Sequence, residues 1–221
     1  MNGIRIREVK EGIISQNDIT AAGIRSHLAE KHIFFVNVMG SPGCGKTTFL
    51  KRTVEALAGK AGIGVMEADV DSDTDAVLME KTGADVIQLH TGGACHMDAH
   101  MTKEGLNELG DEFDIIFLEN VGNLVCPAEF DVGAHLSVMI LGIPEGDDKP
   151  LKYPLMFKTS DVLIINKTDA GEAFDFNEEL FRERVLSLNP DIRIFSLSAK
   201  TGAGFDGWMS FIKEKYEDYR A

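Results

Sequence analysis

Gly40-Ser41-Pro42-Gly43-Cys44-Gly45-Lys46-Thr47 decides the fold. The stretch fits the pattern G-x4-G-K-[ST]. It follows an apolar run, Ile33–Met39 (IFFVNVM), and opens an amphipathic one, Thr47–Ala58 (TTFLKRTVEALA), which Gly59 closes. Strand, glycine-rich loop and helix in that order make a phosphate cradle. The glycines let the backbone curl until successive N–H groups converge on a β-phosphate. The helix N-terminus adds partial positive charge. Gly43, Cys44, Gly45, Lys46, Thr47 and Thr48 are therefore the candidate phosphate contacts. Lys46 is placed to reach the β- and γ-phosphate oxygens and Thr47 to ligate Mg²⁺. The Cys44 side chain is incidental to this role.

Six further apolar runs follow: Ile63–Ala68, Asp85–Leu89, Asp114–Leu118, Leu136–Leu141, Asp161–Ile165 and Ile192–Leu197. They are mostly continuous rather than alternating, as suits strands buried on both faces. Helical patterns lie between and after them, including Asn177–Leu188, stopped by Asn189-Pro190, and Phe205–Tyr216 around the single Trp208. The fold class expected is α/β: a P-loop NTPase with a doubly wound, mostly parallel sheet of about seven strands and helices on both faces. Asn17–Lys31 predicts an extra helix before the first strand, capped by Asn17 or Asp18. Residues 142–154 (GIPEGDDKPLKYP) read as a surface excursion. There is no internal repeat and no low-complexity segment.

The chain has 221 residues, 44% of them hydrophobic, and a formal net charge of −14. That acidity argues against nucleic acid or an anionic membrane as partner, because phosphates are repelled. One bound nucleotide is still compatible, since backbone N–H groups, a lysine and a metal meet its charge locally. Three cysteines are too few and scattered for a disulfide framework. No apolar run reaches the roughly 20 residues that span a bilayer, and Met1–Lys10 lacks a signal-peptide core. A cytoplasmic location is expected.

Asn166-Lys167-Thr168-Asp169 comes directly after the run 161–165. N-K-x-D at a strand end suits guanine: a carboxylate accepts from N1–H and the 2-amino group. Adenine offers an acceptor and no amino group there, and an unpaired buried acceptor costs about 1–3 kcal/mol. The Lys167 stem can lie over the ring and Asn166 can tie this loop to the phosphate loop. Ser198-Ala199-Lys200, after the last strand, offers another N–H to the guanine oxygen.

Two acidic segments also follow strands. In Glu119-Asn120-Val121-Gly122 the carboxylate can hold a Mg²⁺ water and the Gly122 N–H can sense a γ-phosphate. In Asp69-Val70-Asp71-Ser72-Asp73-Thr74-Asp75, Asp69 can bind Mg²⁺ or orient the attacking water, with Asp75 as a second candidate. Asp71 and Asp73 read as a solvated helix cap. The candidate catalytic set is thus Lys46, Asp69, Asp75 and Glu119. No arginine can be assigned to the transition-state charge, so intrinsic turnover of GTP to GDP is expected to be slow.

Cys95-His96 follows the third run and Cys126-Pro127 the fourth. Loops from neighbouring strand ends meet, so two thiolates and an imidazole can converge as ligands for Zn²⁺ or Ni²⁺. A two-fold dimer would complete a three-ligand site by pooling both copies. The bland reading is a pair of small buried structural cysteines. His100, four residues on, can extend a helical pair with His96. It reads rather as structural, as do His90 and His135, and Met97 and Met101 read as core.

Assembled, these residues resemble the HypB family of hydrogenase nickel-incorporation GTPases over nearly the whole chain. The stretches that carry the resemblance are G-S-P-G-C-G-K-T at 40–47, E-x-D at 67–69, G-G-A-C-H at 92–96, E-N-V-G-N-L-V-C-P-A at 119–128, K-P-L-K-Y-P at 149–154, N-K-T-D at 166–169 and S-A-K-T-G at 198–202. A single GTPase domain over 1–221 with an N-terminal helical extension at about 1–32 is expected, with Thr47, Asp69 and Glu119 as its magnesium ligands. The resemblance implies Cys95, His96 and Cys126 as nickel or zinc ligands at the interface of a GTP-dependent homodimer, in which Lys149 or Lys152 reaches toward a nucleotide across the dimer. It also implies nickel delivery to a [NiFe]-hydrogenase large-subunit precursor, with the nickel chaperone HypA as partner. Some members carry an N-terminal Cys-rich or His-rich nickel store; residues 1–30 here have no cysteine and only His27, so delivery is expected to rest on the GTPase-domain site or on partners. A urease accessory GTPase is a runner-up, disfavoured because that family shows Cys-Pro-His where this chain has Cys126-Pro127-Ala128. Two more distant readings are a P-loop small-molecule kinase, against which the guanine-selective Asp169 counts, and a metal-storage protein with a vestigial nucleotide site, against which the intact Gly45-Lys46-Thr47 counts.

Overall fold

The computed structural model describes residues 9–70 and 74–220. The helix-cap reading of Asp71 and Asp73 lies outside them, as does most of the stretch Met1–Lys10. Seven strands form one sheet: β1 (Phe34–Gly40), β2 (Ile63–Asp69), β3 (Asp85–His90), β4 (Ile115–Glu119), β5 (Leu136–Gly142), β6 (Val162–Asn166) and β7 (Arg193–Ser196). Their order is β3-β2-β4-β1-β5-β6-β7 and every pairing is parallel. The P-loop NTPase architecture expected from the apolar runs is the one observed. From β1 the chain moves toward the β3 edge, and from β5 toward the β7 edge, which puts the ligand crevice at the carboxyl ends of the central strands.

The runs are continuous because the central strands are covered on both sides. On one face Phe34, Val36 and Val38 of β1 pack against Phe49, Leu50 and Val54 of α2 (Lys46–Leu57), Met79 of α3 (Thr74–Glu80), and Trp208 and Ile212 of α8 (Phe205–Arg220). The fully buried Trp208 donates its indole N–H to Thr53 Oγ1 at 3.0 Å. On the other face, Phe35, Met66 and Leu118 meet Ala21, Ile24 and Leu28 of α1 (Val9–Glu30). Beside them Met139, Leu141 and Leu163 meet Met156 and Phe157 of α6 (Pro154–Thr159) and Phe181 and Val185 of α7 (Glu178–Leu188). Among the described residues no helix is long and apolar enough to cross a membrane.

Two expectations are corrected. α1 begins by Val9, so neither Asn17 nor Asp18 caps it. Asn17 is buried in mid-helix, where its Oδ1 accepts from the Ala99 N–H at 2.8 Å and its Nδ2 donates to the Asp131 carbonyl at 2.9 Å. An asparagine clamping two loops looks like a cap in sequence, because both roles use the same short polar amide. Residues 142–154 are not merely a surface excursion. They form a 3₁₀ turn (Ile143–Glu145) and α5 (Lys149–Lys152), with α6 starting at Pro154, and Ile143 and Pro150 are buried. The prolines that suggested a loop stand in the first turns of these helices, where a missing N–H costs nothing.

Candidate nucleotide cleft and thiol–imidazole cluster

β1 runs into the phosphate loop, and Gly45 (φ +100°) turns it into α2. A Cβ there would stand 2.5 Å from Asn166 Nδ2, so the turn and the approach of the base loop both require glycine. Asn166, buried at the end of β6, donates to the Cys44 carbonyl at 2.9 Å and accepts from the Ala199 N–H at 2.9 Å and its own neighbour's, Lys167, at 2.8 Å. Lys167 takes a left-handed conformation (φ +65°) and sends Nζ to the Gly43 carbonyl at 2.5 Å. One asparagine and one lysine thus join Asn166–Asp169, Ser198–Lys200 and the phosphate loop. Asp169 is exposed, and a hydrogen bond from Ser198 holds its carboxyl below the usual range. Lys200 is also exposed. Burial pushes the Cys44 thiol up to about 11, so it stays protonated and inert.

A cleft of about 600 Å³ opens over the loop, lined among others by Lys46, Thr47, Thr48, Asp69, Asp75, Glu119 and Gly122. Lys46 is 8% exposed, with Nζ 4.0 Å from Glu119 Oε1, and Thr47 donates to the same oxygen at 2.9 Å. Glu67, not singled out from the sequence as a site residue, lines the cleft too, and the strand register sets it opposite Glu119. Burial raises the pKa of both carboxyls; Lys46 and Thr47 oppose this for Glu119, while Glu119 and Asp75 push Glu67 further up. The two carboxyls share a hydrogen bond, but Glu119 Oε2 and Glu67 Oε1 are buried and receive none from any N–H or hydroxyl group. A hydroxyl beside unsatisfied carboxylate oxygens is the hard oxygen donor set that Mg²⁺ takes, so the residues fit that ion.

Cys95, His96 and Cys126 come together outside the cleft, their ligand atoms all within 4.8 Å of one another. The sulfurs are 3.0 Å apart, and Cys95 Sγ is 3.9 Å from His96 Nδ1. The His96 ring stacks on Phe130 with centroids 4.1 Å apart, and its burial lowers the pKa, which favours the neutral imidazole a metal needs. The Cys126 thiol is pushed up, chiefly by its hydrogen bond with Cys95. His100 does not extend a helical pair with His96. α4 (Ala99–Leu109) starts after His96, capped by Asp98, whose side chain accepts from the Met101 N–H at 2.8 Å. His100 lies against Glu104 instead, and Met97 is buried in the core. Lys152 pairs with Asp148 at 2.5 Å and Lys149 lies over the Tyr153 ring.

The model of the CobW/HypB/UreG nucleotide-binding domain matches residues 34–196. The hydrogenase maturation factor HypB of Azotobacter vinelandii is 41% identical over 212 residues, covering 96% of this chain and 70% of that protein. The chain belongs to the CobW/HypB/UreG family, on its HypB branch. The probable hydrogenase maturation factor HypB of Methanocaldococcus jannaschii is 35% identical over the full length of both. The crystal structure of HypB from Helicobacter pylori in complex with nickel superposes with a TM-score of 0.86 at 37% identity, covering 93% of this chain and 98% of that one.

In this HypB-branch chain the segment after β4 connects cleft and cluster. Asn120 is fully buried; its Oδ1 accepts from the Met97 N–H at 3.1 Å and the Val121 N–H at 2.9 Å, and its Nδ2 donates to Asn37 Oδ1 at 3.2 Å. Gly122 lies against Pro42 of the phosphate loop, where a Cβ would come within 3.0 Å. The Asn123 N–H donates to the Gly40 carbonyl at 3.1 Å, and its side chain donates to the Cys95 carbonyl at 3.2 Å. Two more supports escaped the sequence reading. Glu145 accepts from the Ser41 hydroxyl and from the Gly142 N–H, and Arg52 donates to the carbonyls of Ala199 and Lys200 at 2.8 and 3.0 Å. Asn120 and Asn123 stand inside the quoted stretch E-N-V-G-N, and an amide at a buried strand end was the available signal. Glu145 and Arg52 carried none.

Proposed function

We propose that the protein is a guanine-nucleotide switch that binds nickel at Cys95, His96 and Cys126 and delivers it during [NiFe]-hydrogenase maturation. The observation that carries this is the thiol–imidazole cluster, one of whose ligands, Cys126, stands on the same short segment, 119–126, as the cleft carboxylate Glu119. GTP fills the cleft: its phosphates on Gly43–Thr48, its base on Asn166, Lys167, Asp169 and the 198–200 loop. The residues that would hold Mg²⁺ are Thr47 and Glu119, with Asp69 nearby; bound there, the ion supplies charge neutralisation at the β- and γ-phosphates. Lys46 shares that charge, Asp69 or Asp75 orients the attacking water, and hydrolysis to GDP is slow because no arginine lines the described cleft. Three ligands per chain favour a homodimer that pools two sets around nickel, or zinc in its place. The nickel chaperone HypA and a hydrogenase large-subunit precursor are the partners that fit, in the cytoplasm. The Helicobacter pylori relative is named a hydrogenase/urease maturation factor. Here Ala128 stands where the urease accessory GTPases carry histidine, which favours the hydrogenase role. A carboxylate at Asp169 disfavours an adenine-dependent kinase.

Sedimentation with a non-hydrolysable GTP analogue and stoichiometric Ni²⁺ tests the reading. A nickel-loaded dimer is expected, with less than one tightly held ion in Cys95→Ala. Full nickel retention by that variant would overturn the site assignment. Phosphate release from GTP but not ATP tests the nucleotide half. Equal Ni²⁺ affinity with GTP analogue and with GDP would reject direct coupling.

A further inference from the structure

Among the described residues, three buried side-chain oxygens, Glu67 Oε1, Gln88 Oε1 and Glu119 Oε2, receive no hydrogen bond from any N–H or hydroxyl group; Glu67 and Glu119 share only the one hydrogen bond between their own carboxyls. They are not scattered. Parallel pairing sets Glu67 opposite Gln88 on β3 and opposite Glu119 on β4, and all three residues line the nucleotide cleft. Three adjacent strands therefore end in one row of acceptors, with Glu67, 2% exposed, in the middle. Ile63 and Val65, earlier on the same face of β2, belong to the apolar core. An apolar residue at 67 would simply continue it, so packing does not explain a carboxylate there. A buried acceptor is costly to leave unpaired, and a row of them calls for a source of several donors.

A hydrated divalent cation is such a source. Mg²⁺ gives up its waters reluctantly and usually keeps several, each with two O–H groups to donate. Among the described residues the single cluster whose three ligand atoms lie within 4.8 Å of one another is Cys95, His96 and Cys126. Among those same residues no third carboxylate converges with Glu67 and Glu119, so the row is not built as a second set of direct ligands. We propose that Glu67 is a positioning residue for the magnesium of the nucleotide site, accepting hydrogen bonds from the water shell of the ion held at Thr47 and Glu119, with Gln88 closing the row. The proposal rests on the nucleotide reading above. Partners of this kind set the orientation of the direct ligands, and losing one typically weakens metal binding 10- to 100-fold.

The experiment is Mn²⁺ binding, followed by electron paramagnetic resonance, to the protein saturated with a non-hydrolysable GTP analogue. Glu67→Gln is the main variant, because it keeps the shape and can still donate to Glu119. Mn²⁺ affinity in the ternary complex should fall by about tenfold or more. Affinity for a fluorescent guanine nucleotide in EDTA should stay within about twofold, because Glu67 reaches the nucleotide only through the ion. Gln88→Leu is the second variant, expected to lower Mn²⁺ affinity less, and it keeps the proposal testable should Glu67→Gln fold poorly. Were Glu67 only a buried acid paired with Glu119, Glu67→Gln would leave Mn²⁺ affinity unchanged, and that result overturns the proposal. Absence of any nucleotide-dependent Mn²⁺ signal in the unaltered protein would instead overturn the nucleotide reading beneath it.

Discussion

Asn120→Ala is the most informative single substitution outside the ligand sets. Its side chain is fully buried and makes three hydrogen bonds, to the N–H groups of Met97 and Val121 and to Asn37 Oδ1. Truncation strands two backbone donors and one amide oxygen away from water. At about 1 kcal/mol for each orphaned group, the low end for such losses, stability falls by about 3 kcal/mol. With a urea slope of about 2 kcal/mol per molar, the unfolding midpoint drops by about 1.5 M. The loss is also local. Met97 follows His96 directly, so the tether that places the imidazole is cut. Nickel affinity should therefore fall by about tenfold, the equivalent of roughly 1.4 kcal/mol. GDP affinity should hold, because the phosphate loop is fastened to the base loop through Asn166 and Cys44 instead. Urea melts followed by circular dichroism, with Ni²⁺ and GDP titrations on the same protein, measure all three. A midpoint shift below about 0.5 M, or equal losses of nickel and GDP affinity, would refute the view that Asn120 clamps the cluster loop specifically.

Asp169→Asn should weaken GTP binding by about tenfold or more, since charged hydrogen bonds are worth about 1.5–3 kcal/mol, and should improve binding of xanthosine triphosphate; competition against a fluorescent guanine nucleotide reads both. Thr53→Val keeps the shape but leaves the buried Trp208 N–H unpaired, a loss of about 2 kcal/mol visible as a fall in Tm of roughly 6 °C. His135 accepts the Phe35 N–H on Nδ1 at 3.0 Å, while Nε2 faces the Arg25 carbonyl and the Tyr219 hydroxyl. Burial, with the Arg25 charge, lowers its pKa from the usual 6.5, so the unfolded chain takes up the proton first. Stability should be full above about pH 6.5 and decline as pH falls toward the lower folded value; the difference between melts of the wild type and His135→Asn isolates this slope.

Much of the sheet could be read from continuous apolar runs, because strands covered on both faces leave little room for polar residues. β7 and β3 were legible too, although both are only half-buried edges, since their flanking helical patterns bracket them. What misled was polar chemistry with more than one use. Asn17 in mid-helix and the prolines of 144–154 carry cap and loop signatures, and only tertiary burial shows their actual roles. The nucleotide motifs are contiguous in sequence and so stood out. Glu67, Gln88 and Glu119 become a row only through β2 pairing with both β3 and β4, a register that no local pattern encodes. Arg52 likewise supports the base loop from a helix far away in the chain.

The segment from Glu119 to Cys126 limits how the two sites can communicate. Gly122, against Pro42, precedes Asn123, which holds Gly40 through its backbone and Cys95 through its side chain. A shift of the Gly122 peptide toward a γ-phosphate cannot leave Asn123 in place, since one peptide bond separates them. Either the Gly40 bond or the Cys95 bond must stretch, and Cys126 follows three residues on, 3.0 Å from the Cys95 sulfur. Two hydrogen bonds at about 1 kcal/mol each bound the direct coupling near 2 kcal/mol, about thirtyfold in affinity. Linkage makes that figure reciprocal: whatever GTP does to nickel binding, nickel does to GTP binding. Coupling beyond that limit would have to draw on contacts between two chains rather than on this segment alone.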